Sequence, residues 1–560
     1  MARLPPALVP LRNRMFRRLW LASVVAWLGT WLQNTGAGWL MTTLAPQPLI
    51  VAMVQAATIM PVFLLALPGG ALADIVDRRV FLIGVQLWTI LAAGTLAVMT
   101  IGHITTAGVL LLLTFAIGIG TALTSPAWSA VIPELVPRED LVQAIALNGN
   151  GYNLTRAVGP ALAGFLILVG GTSLAFSIYT VSIVTVIAAL LTWRRSRRFT
   201  GLPREHLVAA MRAGVRFVRN TPAVRHAMLR TIAYSIPCSA PWALLPLMVR
   251  EQLHLGAGMY GVILGMMGVG GVTSGMLLPL VRARLSANIT VLACSLSSCT
   301  GIALVGTAHH WLFAAIGMLL FGIGWTSAYA TIQAAAQLVC PTWVRARALS
   351  IYQLAQNGAL TIGSFAWGAL AGHVGISQAL LIAAGVGVAL AVGAQRWGIE
   401  QIAPARATAP QPTPPAPPAA AAAELVPLLR HARGQVMEAM YYRVAPAERP
   451  AFLATMQEVR LVRGRAGARF WQLYEDVAQP EGWLETWSMD SWTDHLRELS
   501  RLSQDDRATL ARATVFARAP GTSPPARYLA VDPAAHEPLK RQRSLSRPQW
   551  RVHQERGSTL

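Results

Sequence analysis

Arg156 is the one arginine well inside a long apolar stretch, in the run Asn148-Gly-Asn150-Gly-Tyr-Asn153-Leu-Thr-Arg156-Ala-Val-Gly159-Pro160-Ala-Leu-Ala-Gly164. A charge at the centre of a bilayer costs roughly 2.5–3.5 kcal/mol on insertion scales, so this side chain should face protein or a water-filled cavity. Two uses fit it: contact with an anionic substrate or gating partner, or an ion pair with Asp74 or Glu134 near one membrane surface. Asn153 stands one turn earlier on the same predicted helix. Gly159, Pro160 and Gly164 mark a bend or a point of close helix packing, which a membrane tolerates where neighbours re-satisfy the freed backbone.

The other side chains suited to binding a solute are uncharged. Gln33 and Asn34 in the first apolar span, and Gln353, Gln356 and Asn357 in the eleventh, are candidate lining of a polar pathway. Such groups also join helices, at about 0.6 kcal/mol each, so packing competes with binding as their role. Trp27, Trp31, Trp39 and Trp325 suit stacking on an aromatic solute or anchoring at the interface. No span holds an acidic residue away from its ends, so proton exchange would fall to Asp74, Glu134 or a histidine such as His103. The four cysteines (Cys238, Cys294, Cys299, Cys340) lack metal-ligand spacing and no GxxxxGK[ST] loop occurs. Neither metal, cofactor nor ATP is expected.

The elements that must hold these residues follow from composition. Residues 1–400 carry only eight acidic residues against twenty-five arginines, and the charged fraction of the whole chain is 12%, half the ~25% of ordinary globular proteins. Apolar runs of about 20 residues, enough to cross a bilayer, predict twelve spans near 19–41, 49–70, 80–102, 106–126, 145–169, 172–193, 224–249, 258–280, 287–307, 310–333, 346–371 and 374–396. Arginines crowd every second connection, whereas the connections between hold only Arg250 and Glu251. Positive charge marks the cytoplasmic side. An even number of spans with both termini in the cytoplasm is therefore expected. Arginines placed between apolar segments, rather than interleaved with aromatics on one surface, argue against nucleic acid.

The expected organisation is a six-helix half (1–193), a basic linker (194–223) and a second six-helix half (224–400). A Pro/Ala linker (401–433), a soluble domain (434–531) and a disordered tail (532–560) complete it. Within the basic linker, residues 204–220 suggest an amphipathic helix whose Leu207, Met211, Val215 and Val218 face one side and whose arginines meet lipid headgroups. In the soluble domain the pattern runs strand–helix–strand–strand–helix–strand, a ferredoxin-like split unit. The fold class is thus an all-α membrane protein of 6+6 helices with a small α+β domain.

Between the second and third spans stands Gly70-Ala-Leu-Ala-Asp74-Ile75-Val-Asp77-Arg78-Arg79. It resembles the signature loop of the major facilitator superfamily, departing from it at Ile75, where a basic residue is usual, and at Asp77, where glycine is usual. The resemblance implies that Gly70 permits close helix approach. It also implies that Asp74 caps backbone or pairs across the halves, with Arg78 and Arg79 fixing the turn. The run Gly118-Ile-Gly120-Thr-Ala-Leu-Thr-Ser-Pro126-Ala-Trp-Ser-Ala-Val-Ile-Pro133-Glu134-Leu-Val-Pro137-Arg138-Glu139-Asp140, with Arg156 and Gly159-Pro160, is similar to the enterobactin-exporter-like, transmembrane secretion effector branch. That resemblance implies a bacterial inner-membrane transporter, not an enzyme. It would export siderophores or other small, partly apolar compounds by alternating access, with ion or proton coupling left open.

The soluble segment, with Trp471, Glu475, Trp483, Glu485, Trp487, Trp492 and His495, resembles the antibiotic-biosynthesis-monooxygenase-like dimeric α/β barrels. This implies a homodimer or a binding role more than catalysis. A histidine on a helix among Asp and Arg is more often on the surface, and tryptophans are more often core. A membrane-tethered enzyme and a lipid or lysophospholipid flippase are the alternative readings.

Overall fold

The computed structural model describes residues 6–75, 77–193, 207–399, 436–490, 494–495, 498, 501–516 and 526–529. The chain divides into two compact units, Met1–Ala405 and Arg406–Leu560.

The first unit is helical: α1 (Arg14–Leu44), α2 (Pro48–Ile75), α3 (Arg78–Ile101), α4 (Ala107–Leu135), α5 (Leu141–Thr192), α6 (Leu207–Asn220), α7 (Pro222–Leu247), α8 (Ala257–Arg284), α9 (Ala287–Gly306), α10 (Trp311–Val339), α11 (Thr342–Val374) and α12 (Ile376–Gly393). Local chemistry sets the boundaries. Asn13 accepts from the backbone N–H groups of Met15 and Phe16 to start α1, and Asp77 accepts from those of Arg79 and Val80 to start α3. The aspartate that departs from the usual signature loop is therefore an N-cap. Gly171, at φ +72°, breaks α5 into two rods, and Gly375, at φ +89°, separates α11 from α12. Both angles lie where glycine alone is unstrained.

Nine described helices are long and apolar enough to cross a membrane, one of them the double-length α5. α1 and α11, at 31 and 33 residues, have the length but more polar sequences. Two of the pairings between the halves rest on glycine. α5 meets α8 through small residues: a Cβ on Gly164 would lie 2.7 Å from the Cα of Gly261, and one on Gly268 would lie 2.3 Å from the Cα of Ala157. α2 meets α11 where Gly358 backs onto the Phe63 ring and Gly368 onto Ala52. Removing the side chain lets the rods approach within backbone contact, which is how helices associate where lipid supplies no hydrophobic drive.

The two ends of the bundle differ. At the arginine-poor ends one buried cluster draws on both halves, including Ala37, Met41 and Val51 with Leu244, Leu247, Met248 and Tyr260. At the arginine-rich ends the clusters stay within a half. Phe16, Leu19, Phe81 and Val131 pack in the first, and Phe217, Val218, Val224 and Val344 in the second. The linker helix α6 corrects its expectation: Phe217 and Val218 are buried against the second half, while Val215 is exposed. Val218 of the predicted stripe is thus on the buried side and Val215 is not, and the helix docks on protein. The side chains of Leu207 and Met211 lie outside the described residues.

In the second unit, β1 (Val436–Arg443), β2 (Phe470–Glu475), β3 (Gly482–Met489) and β4 (Ala526–Leu529) form an antiparallel sheet in the order β2-β3-β1-β4. α13 (Arg449–Ala466) and α14 (Gln504–Val515) complete the ferredoxin-like order. Phe452, Met456 and Val459 of α13 pack on Tyr442 and Trp483.

Candidate substrate site between the halves

Arg156 lies halfway along the first rod of α5. Its Nη2 donates to the Thr326 hydroxyl at 2.9 Å, and Thr326 is halfway along α10, in the other half. Gly271, halfway along α8, makes room for the guanidinium: a Cβ there would lie 2.8 Å from Nη2. Pro160 cannot donate to the Arg156 carbonyl one turn back. A Cβ on Gly268 would come within 2.6 Å of that oxygen, so the glycine lets α8 cover the exposed acceptor. The Gly-Pro pair thus acts through close packing. Gly159 serves the same layer, backing onto Trp31 of α1.

Around this tie is a band of aromatic side chains. Trp325 meets Tyr329 at 4.6 Å between ring centroids, Phe321 at 5.5 Å and Trp242 at 5.8 Å. Trp242 stacks on Trp31 across the halves at 6.3 Å. The phenols of Tyr234 and Tyr329 are satisfied by Ser298 at 2.7 Å and Ser235 at 2.6 Å, and Gln356 of α11 reaches Tyr329. Trp31, Tyr234, Thr326 and Gln356 each fall near the middle of their helices. The layer therefore offers one cation, ring faces and amide or hydroxyl groups at the depth where major facilitator transporters bind substrate.

The arginine-poor end is closed above it. Arg250 donates to the Thr42 hydroxyl at 3.0 Å and lies 6.0 Å from the Trp39 ring centroid. Trp39 in turn stacks on Tyr260 at 5.7 Å. Each of these contacts crosses from α1 to the second half, so all must part for the site to open on that side.

The sequence candidates separate accordingly. Asn34 shares the face of α1 that carries Trp31 and Gly38, and Gly38 packs on Tyr260 and Pro246 of the other half. Gln33, one residue away, is 1% exposed on the face where Gly29 and Gly36 meet Ser182 and Phe176. It faces the interior of its own half, because successive helical residues point 100° apart. Asn357 is half-buried and its carbonyl accepts from Thr361. Asn153 and Gln353 are exposed, with no side-chain hydrogen bond among the described residues.

Glu134 takes Arg78 at 2.6 Å, so it is not the partner of Arg156. Arg79 donates to the Leu190 and Leu191 carbonyls at the end of α5, where a cation complements the helix terminus. The described part of the signature loop therefore ties together one half. The Asp74 side chain and the surroundings of Gly70 lie outside the described residues.

Sequence reasoning also missed groups. Arg230, in the third turn of α7, is 2% exposed and donates to the Ala394 carbonyl at 3.0 Å and to Gln395 at 3.4 Å. Arg156 is thus not the one arginine inside a span; Arg230 sits nearer an end, where the terminus of α12 supplies its acceptor. Thr326, Trp242 and Tyr329 were passed over too. The i, i+4 spacing of Trp325 and Tyr329 was the available signal.

The second unit holds a different polar cluster. Glu485 is fully buried and accepts from Tyr442 at 2.6 Å, Trp471 at 3.0 Å and Arg463 at 3.2 Å. Arg463 also reaches Glu498 at 3.0 Å and stacks 3.5 Å from the Trp487 ring centroid. His495 lies 3.0 Å from Glu438 and is 5% exposed, which corrects its placement on the surface: carboxylates from a strand and its own helix draw it inward. Burial alone would lower the Arg463 pKa, but Glu485 and Glu498 hold it above its usual value. Burial pushes the Glu498 carboxyl up, and His495 and Arg463 more than reverse this, leaving it below the usual range. Trp483 and Trp487 are core. Glu475 is at the surface with Arg449, and Trp492 lies outside the described residues. A metal-binding group of His, Cys, Asp or Glu does not occur among the described residues.

Comparison with known proteins agrees with this architecture. The chain is 23% identical over 373 residues to a staphyloferrin A transporter of Staphylococcus aureus, covering 66% of this chain and 92% of that one. It is 27% identical over 275 residues to an enterobactin exporter of Citrobacter koseri, covering 47% and 62%. Among solved structures, a nucleoside transporter, NupG, superposes with a TM-score of 0.56 at 12% identity over 68% of this chain and 99% of that one. A D-xylose–proton symporter does so at 0.54 and 15% over 67% and 96%. These two likenesses speak for the fold. The family described as transmembrane secretion effector matches residues 6–533; the chain belongs to that family of major facilitator transporters, secondary transporters of small molecules.

Proposed function

We propose that the protein exports a small, partly apolar, siderophore-like compound across the bacterial inner membrane by alternating access. The observation that carries this is the tie from Arg156 to Thr326: a charged group bridging the two halves at mid-depth, in an aromatic layer. The siderophores named for the staphyloferrin A and enterobactin relatives support the substrate class.

With the arginine-rich ends in the cytoplasm, both termini lie there, and the closed Arg250–Thr42 end faces outward. The site is then positioned to load from inside. The domain division at 193 and 224 makes each half one rocking body, and residues 401–433 tether the soluble unit. Met437, Phe470, Tyr474 and Tyr528 are exposed on the sheet face turned from α13 and α14, which supports pairing of two copies through that unit.

The test is excretion. Cells lacking the gene should lose one anionic or polar aromatic metabolite from the medium, and the full chain should restore it. A chain ending at residue 423 should restore it too, while appearing smaller than a dimer by mass photometry. Unchanged excretion in the deletion strain would refute the export reading.

A further inference from the structure

We infer that the substrate is an anion which itself completes the charge of the midplane site, and that membrane potential rather than proton exchange drives its export. This rests on the export reading above. Arg156 is half-buried, and its hydrogen bond goes to a neutral hydroxyl. Among the described residues no carboxylate lies within ion-pair distance of it. The other guanidiniums inside the bundle stand nearer its ends and are engaged there. Arg230 takes the terminus of α12, Arg250 takes Thr42, and Arg282 takes Thr331 at 2.9 Å.

The acidic residues tell the same story. Asp77, Glu134, Glu139, Asp140 and Glu251 fall at helix ends or turns, and Asp74 is in the last turn of α2. His103, His254, His309 and His310 flank helices, His373 is in the last turn of α11, and His226 is in the second turn of α7. Among the described residues, no carboxylate or imidazole stands at the depth of Arg156 to trade a proton for the substrate.

A cation buried without a counter-ion is costly, and an anionic substrate supplies the missing charge. The band of ring faces and edges from Trp31, Trp242, Trp325 and Tyr329 selects an aromatic body for that anion. The arginine-rich mouth raises the local anion concentration. Each cycle then carries the substrate's negative charge outward, down an inside-negative potential. At 100 mV this supports a gradient of roughly 50-fold per charge.

Purified full-length protein in proteoliposomes tests this with 2-naphthalenesulfonate, which stays ionised and does not leak as an acid, and its neutral sulfonamide. A potassium diffusion potential is imposed at equal pH, and separately a pH gradient at zero potential. Sulfonate should accumulate toward the positive side, approaching roughly 50-fold at 100 mV, with no response to the pH gradient. The sulfonamide should not accumulate. Arg156→Lys should keep potential-driven flux and Arg156→Gln should lose it; if a variant fails to insert, the wild-type measurements alone decide. Uphill sulfonate flux driven by the pH gradient overturns the inference and leaves export standing, as does equal carriage of the sulfonamide. Silence under every gradient overturns both.

Discussion

Arg156 and Arg463 are both withdrawn from water, and their surroundings are opposite. Arg463 is enclosed by Glu485 and Glu498 and covered by the Trp487 ring. Among the described residues, Arg156 has one hydroxyl, from the opposite half. A charge meant to stay in place is neutralised by its own protein. A charge meant to meet a transient partner is left incomplete, at a cost in stability that the partner later offsets. The first arrangement fixes a fold, and the second is what the proposed substrate site requires.

The sharpest break in that comparison is Arg463→Ala. It strands Glu485 and Glu498 in the interior, so the second unit should lose about 3–5 kcal/mol. Hydrogen–deuterium exchange across residues 436–516 of the intact chain should rise, with transport activity retained. Unchanged protection would mean that the cluster does not hold the unit together.

The next effect falls on the helical unit. Gly268→Val places a side chain where α8 touches Ala157 and the Arg156 carbonyl, forcing the halves apart. Transport should drop at least tenfold while the protein still reaches the membrane. Wild-type flux would show that close α5–α8 packing is dispensable.

The smallest effect is on pH dependence. The folded-state pKa of Glu498 lies below its unfolded value. Its contribution to stability is therefore complete above the ordinary carboxylate range and is lost as pH falls through the depressed value. Exchange protection in the second unit should be flat from pH 7 to 5 and decline below about pH 4. A loss of protection between pH 7 and 5 would contradict this ordering.

Much of the fold was legible because bilayer thickness fixes span length and arginines mark one face. Arg156 was legible for the same reason: a charge in an apolar run needs an explanation. Orientation around a helix was not. Gln33 and Asn34 are neighbours in sequence, yet only the positions of Gly29, Gly36 and Gly38 decide which one shares the helix face turned to the other half. Arg230 was overlooked because its acceptor is a helix terminus 164 residues away. His495 was misplaced because its nearest carboxylate comes from β1, remote in sequence.

The account stands most directly on transport by Arg156→Ala, measured in proteoliposomes alongside wild type at matched insertion. Flux should fall about a hundredfold while thermal stability stays the same or rises, since a cation lacking a counter-ion has been removed. Wild-type flux in that variant would contradict a charged substrate site between the halves.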